Sequence, residues 1–340
     1  MIVNILAPIF VFAVIVLVHE GGHFLLAKAT GMRVIEFAVG FGPRIVSRKI
    51  GETLYSLRII PLGGFNRIAG MDSEETEDPK AFSKRPVWAR LLVIAAGSIF
   101  NVLLAYFIYA GVFLYEGYYS FPNIPVVGTV LENSAAAKSG IRPGDRIISI
   151  NEKDISTWTN IGEETRLSGN GEISLTLQSG EERRNLHLSL KENEEGRRII
   201  GITPYMEHQE AGFFKALSLS FNRCVFLIRM MGGGLINMIS GHEADVAGPI
   251  GVARMATEVA DTGILPLFLF IALLSLNLGF LNLLPVPLLD GGVLVMTLIE
   301  GISGKKLPEK ALYYIQAVGV TILLGLFIFA MCNDINGLLK

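Results

Sequence analysis

Four stretches of this 340-residue chain are almost continuously apolar. Ile2 to Ala27 is broken only by Asn4 and by the group His19, Glu20 and His23. Leu91 to Tyr115 carries Ser98 and Asn101, Ile264 to Leu284 carries Ser275 and Asn277, and Ala311 to Cys332 completes the set. Each reaches the roughly 20 residues that a helix needs to cross hydrocarbon. The first run lacks a basic start and is too long for a cleaved signal peptide. The pattern predicts an α-helical polytopic membrane protein with four transmembrane helices, at residues 1–30, 87–115, 263–302 and 311–333. Phe221 to Ile239 is a fifth apolar run, interrupted by Arg223, Arg229 and Gly232-Gly233-Gly234. It is expected to lie on the membrane surface, within an amphipathic helical segment at 211–262.

Between the first two runs the period shortens to two. Val34–Val39, Arg44–Ser47 and Thr53–Ile59 alternate in short pieces, punctuated by Gly40, Gly42, Gly51, Gly63 and Gly64. A small β-sheet of hairpins at 31–72 follows, associated with the membrane because it begins a few residues after His23. Its edge is either a plain structural hairpin or a place where an extended peptide pairs. Asp72 to Asp78 reads as an acidic, solvated linker. From Ile124 to Tyr205 the composition is that of a soluble α+β domain, at 122–206. Its strands are expected at Val126–Leu131, Arg146–Ile150, Glu172–Leu177 and Asn185–Leu190, and its helices at Ser134–Ser139 and Thr157–Leu167.

Charge adds direction. The 29 basic and 31 acidic residues leave a net charge of −2, without the basic footprint of a nucleic-acid binder. Cys224 and Cys332, both in apolar runs, cannot build a disulfide scaffold or a Cys-based zinc site and read as small hydrophobes. Lys28, Arg33, Arg44, Arg48 and Lys49 follow the first run; Lys80, Lys84, Arg85 and Arg90 precede the second; Lys305, Lys306 and Lys310 lie between the third and fourth. With four spans these clusters share one side, which the positive-inside rule makes cytoplasmic. Both termini and the segment from Glu116 to about Thr262 are then extracytoplasmic.

The chemistry is inside the first apolar run. In His19-Glu20-Gly21-Gly22-His23, positions i and i+4 share a helix face, so both imidazoles can reach one metal ion, with Glu20 near enough to take a proton. At about 1.5 Å per residue the motif falls within the hydrocarbon, towards the cytoplasmic end of its helix. Ionisable groups at that depth are functional by default, and a helix-gluing polar cluster is the bland alternative. Gly21 and Gly22 fit close approach of another backbone and equally fit simple packing. Catalytic zinc takes three protein ligands. His187, His208 and His242 lie on the extracytoplasmic side of this topology. Asp290, a lone carboxylate among leucines after Asn282-Leu283-Leu284-Pro285-Val286-Pro287, falls at the right depth and is the candidate third ligand.

These residues resemble the site-2 protease family of intramembrane metalloproteases, in its bacterial anti-sigma-factor-cleaving branch. His19-Glu20-x-x-His23 matches its first motif, and Asn282-x-x-Pro285-x-Pro287-x-Leu289-Asp290-Gly291 its second. Gly97-x-x-x-Asn101 matches an element of its second span, Pro61-Leu62-Gly63-Gly64-Phe65 its membrane-associated β-loop, and Gly248-Pro249-Ile250-Gly251 the segment before its third span. The run Ser134–Asn151 resembles a permuted PDZ domain. The resemblance implies zinc on His19, His23 and Asp290, and Glu20 as general base. It implies substrate contacts at Asn282, Pro285, Pro287, Asn101, Gly63, Gly64 and Phe65, with a structural role for Asn101 equally open. The implied partners are the lipid bilayer and single-span membrane proteins, such as a pre-trimmed anti-sigma factor or a signal-peptide remnant, in a bacterial cytoplasmic membrane. The PDZ groove either binds a peptide or filters by size. A catalytically inactive PDZ adaptor and an ion transporter using the same side chains are the competing classes.

Overall fold

A computed structural model describes residues 2–71, 77–168, 171–192, 198–241, 248–305 and 308–339. Most of the acidic linker, His242 and Lys306 lie outside the described residues. The chain divides into a unit of Met1–Tyr115 with Gly212–Lys340, and a unit of Glu116–Ala211.

In chain order the first unit opens with α1 (Ile2–Ala29), β1 (Val34–Ile50), β2 (Thr53–Ile68) and α2 (Val87–Glu116). The second holds β3 (Tyr118–Ser120), β4 (Val127–Val130), α3 (Ala135–Lys138), β5 (Arg146–Ile150), β6 (Lys153–Asp154) and α4 (Trp158–Leu167). It ends with β7 (Glu172–Ser179), β8 (Glu182–Ser189), β9 (Lys191–Glu192), β10 (Arg198–Ile199), β11 (Ile202–Pro204) and β12 (Glu207–Gln209). The first unit resumes with α5 (Phe213–Ile239), α6 (Pro249–Thr262), α7 (Ile264–Asn282), α8 (Asp290–Ser303) and α9 (Glu309–Leu339).

By length and composition, five described helices can cross a membrane: Leu6–Ala29, Val87–Glu116, Phe213–Met238, Ile264–Asn282 and Lys310–Ile335. The expected count of four is therefore not confirmed; Phe213–Met238 also qualifies, as the least apolar of the five. Their outward faces are lipid-like, with Phe10 and Leu17 on α1 and Leu324, Phe327 and Phe329 on α9 exposed. The segment expected as the third span, 263–302, is two helices. Pro285 and Pro287 supply no N–H, α7 stops at Asn282, and a loop of 283–289 separates it from α8.

The three alternating pieces after α1 form two long strands that pair twice. Glu36 stands opposite both Leu54 and Arg67, and Val39 opposite both Leu57 and Gly64, while Lys49 faces Leu54. Segment Gly64–Arg67 is thus an edge of the sheet. The buried carboxylate of Glu36 knits it together. It accepts from Arg44 Nε at 3.2 Å, Arg44 Nη2 at 2.8 Å, Ser56 Oγ at 2.7 Å and Arg58 Nη2 at 2.8 Å. Burial pushes its pKa up, but these donors outweigh that and hold it down at about 2.

In the Glu116–Ala211 unit, strands run in the order β6-β5-β7-β8 over a core that includes Ile147, Ile150, Leu175 and Leu177. Ser134 caps α3 by accepting from the Ala137 N–H, and Thr157 caps α4 through a capping box with Asn160. These elements fall within a few residues of where the sequence pattern predicts them.

Candidate active site

Three helices converge on one point. His19 and His23, one turn apart on α1, are both buried. The Nδ1–H of His23 donates to the Val93 carbonyl of α2 at 2.8 Å. That bond fixes the tautomer and turns the Nε2 lone pair inwards. Nε2 of His23 lies 3.3 Å from Nε2 of His19. Asp290, in the first turn of α8, places Oδ2 at 3.3 Å from His19 Nε2 and 3.4 Å from His23 Nε2. Ligand atoms arranged tetrahedrally about a zinc ion at about 2.0–2.1 Å stand about 3.3–3.4 Å apart. The triangle has that spacing, and Asp290 Oδ2 is a buried oxygen with no hydrogen-bond partner. The residues present therefore fit a metal ion. Among the described residues these three are the one group of His, Cys, Asp and Glu side chains so arranged.

Small residues make the convergence possible. A Cβ on Gly97 of α2 would run into His23 Nε2 and come within 2.8 Å of His19 Nε2, so the missing side chain is the space of the site. A Cβ on Gly22 would meet the Ala96 carbonyl oxygen at 2.7 Å, so there the glycine does permit backbone approach; Gly21 has nothing near it. Gly291 and Gly292 let the 283–289 loop fold back on α8. Two residues before Asp290, Leu288 is held at φ 75°, a conformation that costs a branched side chain on the order of 1–3 kcal/mol and recurs at functional sites.

The remaining expected residues divide. Asn282 places Nδ2 3.3 Å from His19 Nε2 and borders the triangle. Asn101 is fully buried, with its amide 3.4 Å from His19 Nδ1 and its Oδ1 unpartnered. Turned over, the same amide offers Oδ1 to an Nδ1–H and satisfies both groups. Its surroundings are those of a support for His19. Pro287 packs against Gly319 of α9, and Pro285 is exposed in the loop. Gly63, at φ 120°, is covered by the Phe41 ring; Gly64 lies against Glu20; Phe65 lies beneath the Arg58 guanidinium at 4.8 Å. His187 and His208 belong to the Glu116–Ala211 unit, where the His208 ring donates to the Glu116 carbonyl at 2.6 Å.

The sequence reading did not place Asn66 beside Glu20. Its Nδ2 donates to Glu20 Oε2 at 2.8 Å and to the Glu20 main-chain oxygen at 2.5 Å. Only its place two residues after Gly64, on the same strand face, hinted at this.

A helical, membrane-type protein with two histidines of an H-E-x-x-H turn and a distant aspartate on one triangle is by class a polytopic metalloprotease. The sequence profile of peptidase family M50 matches residues 7–326. The chain belongs to that family, the site-2 proteases, and is a metalloendopeptidase of that type. A protein of Clostridium acetobutylicum bearing a zinc metalloprotease name is 33% identical over 98% of this chain and 97% of its own. A Nostoc protein with a similar name is 35% identical over 97% of this chain and 95% of its own. The regulator of sigma-W protease RasP of Bacillus subtilis is 31% identical over 99% of this chain and 100% of its own. Among solved structures, the PDZ domain of an SdrC-like protein from Listeria monocytogenes is 18% identical. It covers 25% of this chain and 90% of its own at a TM-score of 0.23, too low to argue from.

Proposed function

We propose that this protein is an intramembrane zinc endopeptidase that hydrolyses a peptide bond within the transmembrane segment of a single-span membrane protein. The observation that carries the reading is the triangle of His19 Nε2, His23 Nε2 and Asp290 Oδ2, with sides of 3.3–3.4 Å and an orphaned carboxylate oxygen. Those three side chains hold zinc, the metal named for the relatives. Bound there, zinc supplies a Lewis acid that polarises the scissile carbonyl and acidifies water. Glu20 accepts the proton of the attacking water and delivers it to the leaving amine. Val93 and Asn101 hold the imidazoles in the productive tautomer and orientation. Asn282 hydrogen-bonds the substrate backbone, with Pro285 and Pro287 shaping the loop beside it.

A transmembrane substrate hides its peptide bonds in its own helical hydrogen bonds. It must unwind locally, and its freed N–H and C=O groups need partners inside the bilayer. The Gly63–Asn66 stretch, whose Gly64 lies against Glu20, supplies them by strand addition, a reading its position on the sheet edge supports. The substrate is a pre-trimmed protein such as an anti-sigma factor or a signal-peptide remnant, a reading supported by the sigma-W relative. The Glu116–Ala211 unit is a PDZ domain outside the cytoplasm that recognises or excludes the substrate's external part.

Helix directions support the four-span reading. Val11 and Ile15 of α1 cluster with Leu267 and Ile271 of α7, and further along, His19 meets Asn282 at the end of α7. The two helices run parallel, so an odd number of crossings separates them. α2 is one; α5 alone would make two, and α6, at about 21 Å for 14 residues, is too short to return the chain. On this reading α5 lies on the extracytoplasmic surface.

The test is cleavage of a single-span substrate in liposomes by wild type and Glu20→Gln, with zinc determined on both. Cleavage by wild type alone, with zinc in both, is expected. Equal cleavage by Glu20→Gln would remove the base assignment, and zinc in neither would remove the ligand assignment.

A further inference from the structure

The strand that borders the site does more than offer a pairing edge. We propose that Asn66 is the positioning residue of the general base, fixing the Glu20 carboxylate from the same strand that receives the substrate backbone. The inference rests on the protease reading above and assigns a role that the family motifs do not name.

Asn66 Nδ2 carries two hydrogens in one plane. One goes to Glu20 Oε2 at 2.8 Å and the other to the Glu20 main-chain oxygen at 2.5 Å. Two acceptors on one residue leave the amide no freedom, and the amide in turn restrains a side chain that would otherwise turn about three bonds. Only this orientation works, because turning the amide over would set Oδ1 against two oxygens. It leaves Asn66 Oδ1 buried and unpartnered. A residue placed for the fold alone would not be expected to orphan an acceptor.

The strand is held where this contact needs it. Gly64 and Asn66 share one face, and a Cβ on Gly64 would lie 2.8 Å from the Ala38 carbonyl oxygen and 3.3 Å from Glu20 Cγ. The missing side chain lets the strand close on α1 until a short amide reaches the carboxylate. On the opposite face, Phe65 is covered by Arg58, itself anchored by Glu36 and by the Gly42 carbonyl at 2.7 Å. Gly64–Arg67 pairs with Glu36–Val39 on one side only, among the described residues. A substrate strand laid on the other side adds to the element that sets the base. Docking and proton transfer are thereby coupled through one residue.

The experiment uses the full-length protein in liposomes with a single-span substrate, comparing wild type, Glu20→Gln, Asn66→Ala and Asn66→Asp. For Asn66→Ala we expect kcat to fall roughly 10- to 100-fold, the scale of a misplaced catalytic group. KM should stay within about 2-fold and zinc per protein should be unchanged. Asn66→Asp faces one carboxylate with another and should fall further. Substrate affinity, measured on zinc-loaded Glu20→Gln, should be the same when Asn66→Ala is added. A kcat equal to wild type would overturn the proposal. So would a fall in kcat accompanied by loss of zinc or of substrate affinity, which would make Asn66 a part of the sheet or of the substrate seat. If wild type and Glu20→Gln cleave alike, the protease reading of Glu20 falls first and this one with it; if only Asn66→Ala behaves as wild type, the coupling alone is wrong.

Discussion

Glu36 and Asp290 are carboxylates of the same structural unit, each with at least one oxygen withdrawn from water, and they are treated in opposite ways. Glu36 has four donors on its two oxygens, from Arg44, Ser56 and Arg58. Asp290 has an oxygen facing two imidazole nitrogens, with no hydrogen-bond partner and a glycine where α2 passes. A buried polar group is expensive unless satisfied. The satisfied carboxylate closes a sheet, and the unsatisfied one is the group to which we assign a metal ion. The difference lies in the partners of the buried oxygens rather than in burial itself.

The comparison breaks first at the ligand side. Asp290→Ala should abolish both zinc binding and cleavage, yet leave the thermal unfolding of zinc-free protein where it was, because no hydrogen bond is lost. Gly97→Ala should also empty the site, by placing a methyl group against both imidazoles. Metal analysis and unfolding in detergent check both; a large destabilisation of zinc-free Asp290→Ala would show that the aspartate also supports the fold.

Glu36 should show the reverse. Its pKa lies at about 2 against an ordinary 4.5, and at about 1.36 kcal/mol per unit the ionised form adds on the order of 3 kcal/mol to the folded state. A depressed acid contributes above its unfolded pKa and loses that contribution as pH falls through its folded one. Glu36→Gln should therefore destabilise at pH 7 with zinc retained. The gap to wild type should close as pH falls from about 4.5 towards 2. A gap that stays constant over that window would mean that ionisation is not what holds the two halves of β1 together.

A third carboxylate extends the satisfied class outside the matched family region. Asp334 of α9 accepts from the Gly248, Ile250 and Gly251 N–H groups at 2.8, 3.0 and 3.0 Å, closing the first turn of α6. Asp334→Ala removes an N-terminal cap and should lower the unfolding temperature with zinc content unchanged.

How far these assignments were legible depends on whether the signal is local. His19 and His23 are four residues apart on one helix with Glu20 beside the first, and Asp290 stands out as the only acid in a leucine-rich run, so the triangle could be read from spacing and depth. The alternation of Val34–Ile59 announced strands. It did not announce that β1 would pair with β2 along two registers, and that fold-back is what brings Arg44 and Arg58 to Glu36 and Asn66 to Glu20. Asn101 was open between substrate and support because a helical period gives a face but not which neighbour occupies it. The Phe221–Ile239 run has arginines and glycines that weaken it as a span, while its helix is long enough to be one; direction relative to α1 and α7 is tertiary information.

The smallest effect divides two adjacent residues that look alike in sequence. Gly21 and Gly22 each sit inside α1, where glycine is about 1 kcal/mol worse than alanine. At Gly22 a methyl group would press on the Ala96 carbonyl oxygen at 2.7 Å and on Phe100 at 3.0 Å, while at Gly21 nothing lies within 4 Å. Gly21→Ala should raise stability by up to about 1 kcal/mol and leave zinc bound. Gly22→Ala should push α1 from α2, loosen the His23–Val93 bond and lower zinc occupancy. Metal content separates the two: equal loss in both variants would mean that the space beside Gly21 is filled by substrate or lipid in the working enzyme, and that the helix needs both faces bare.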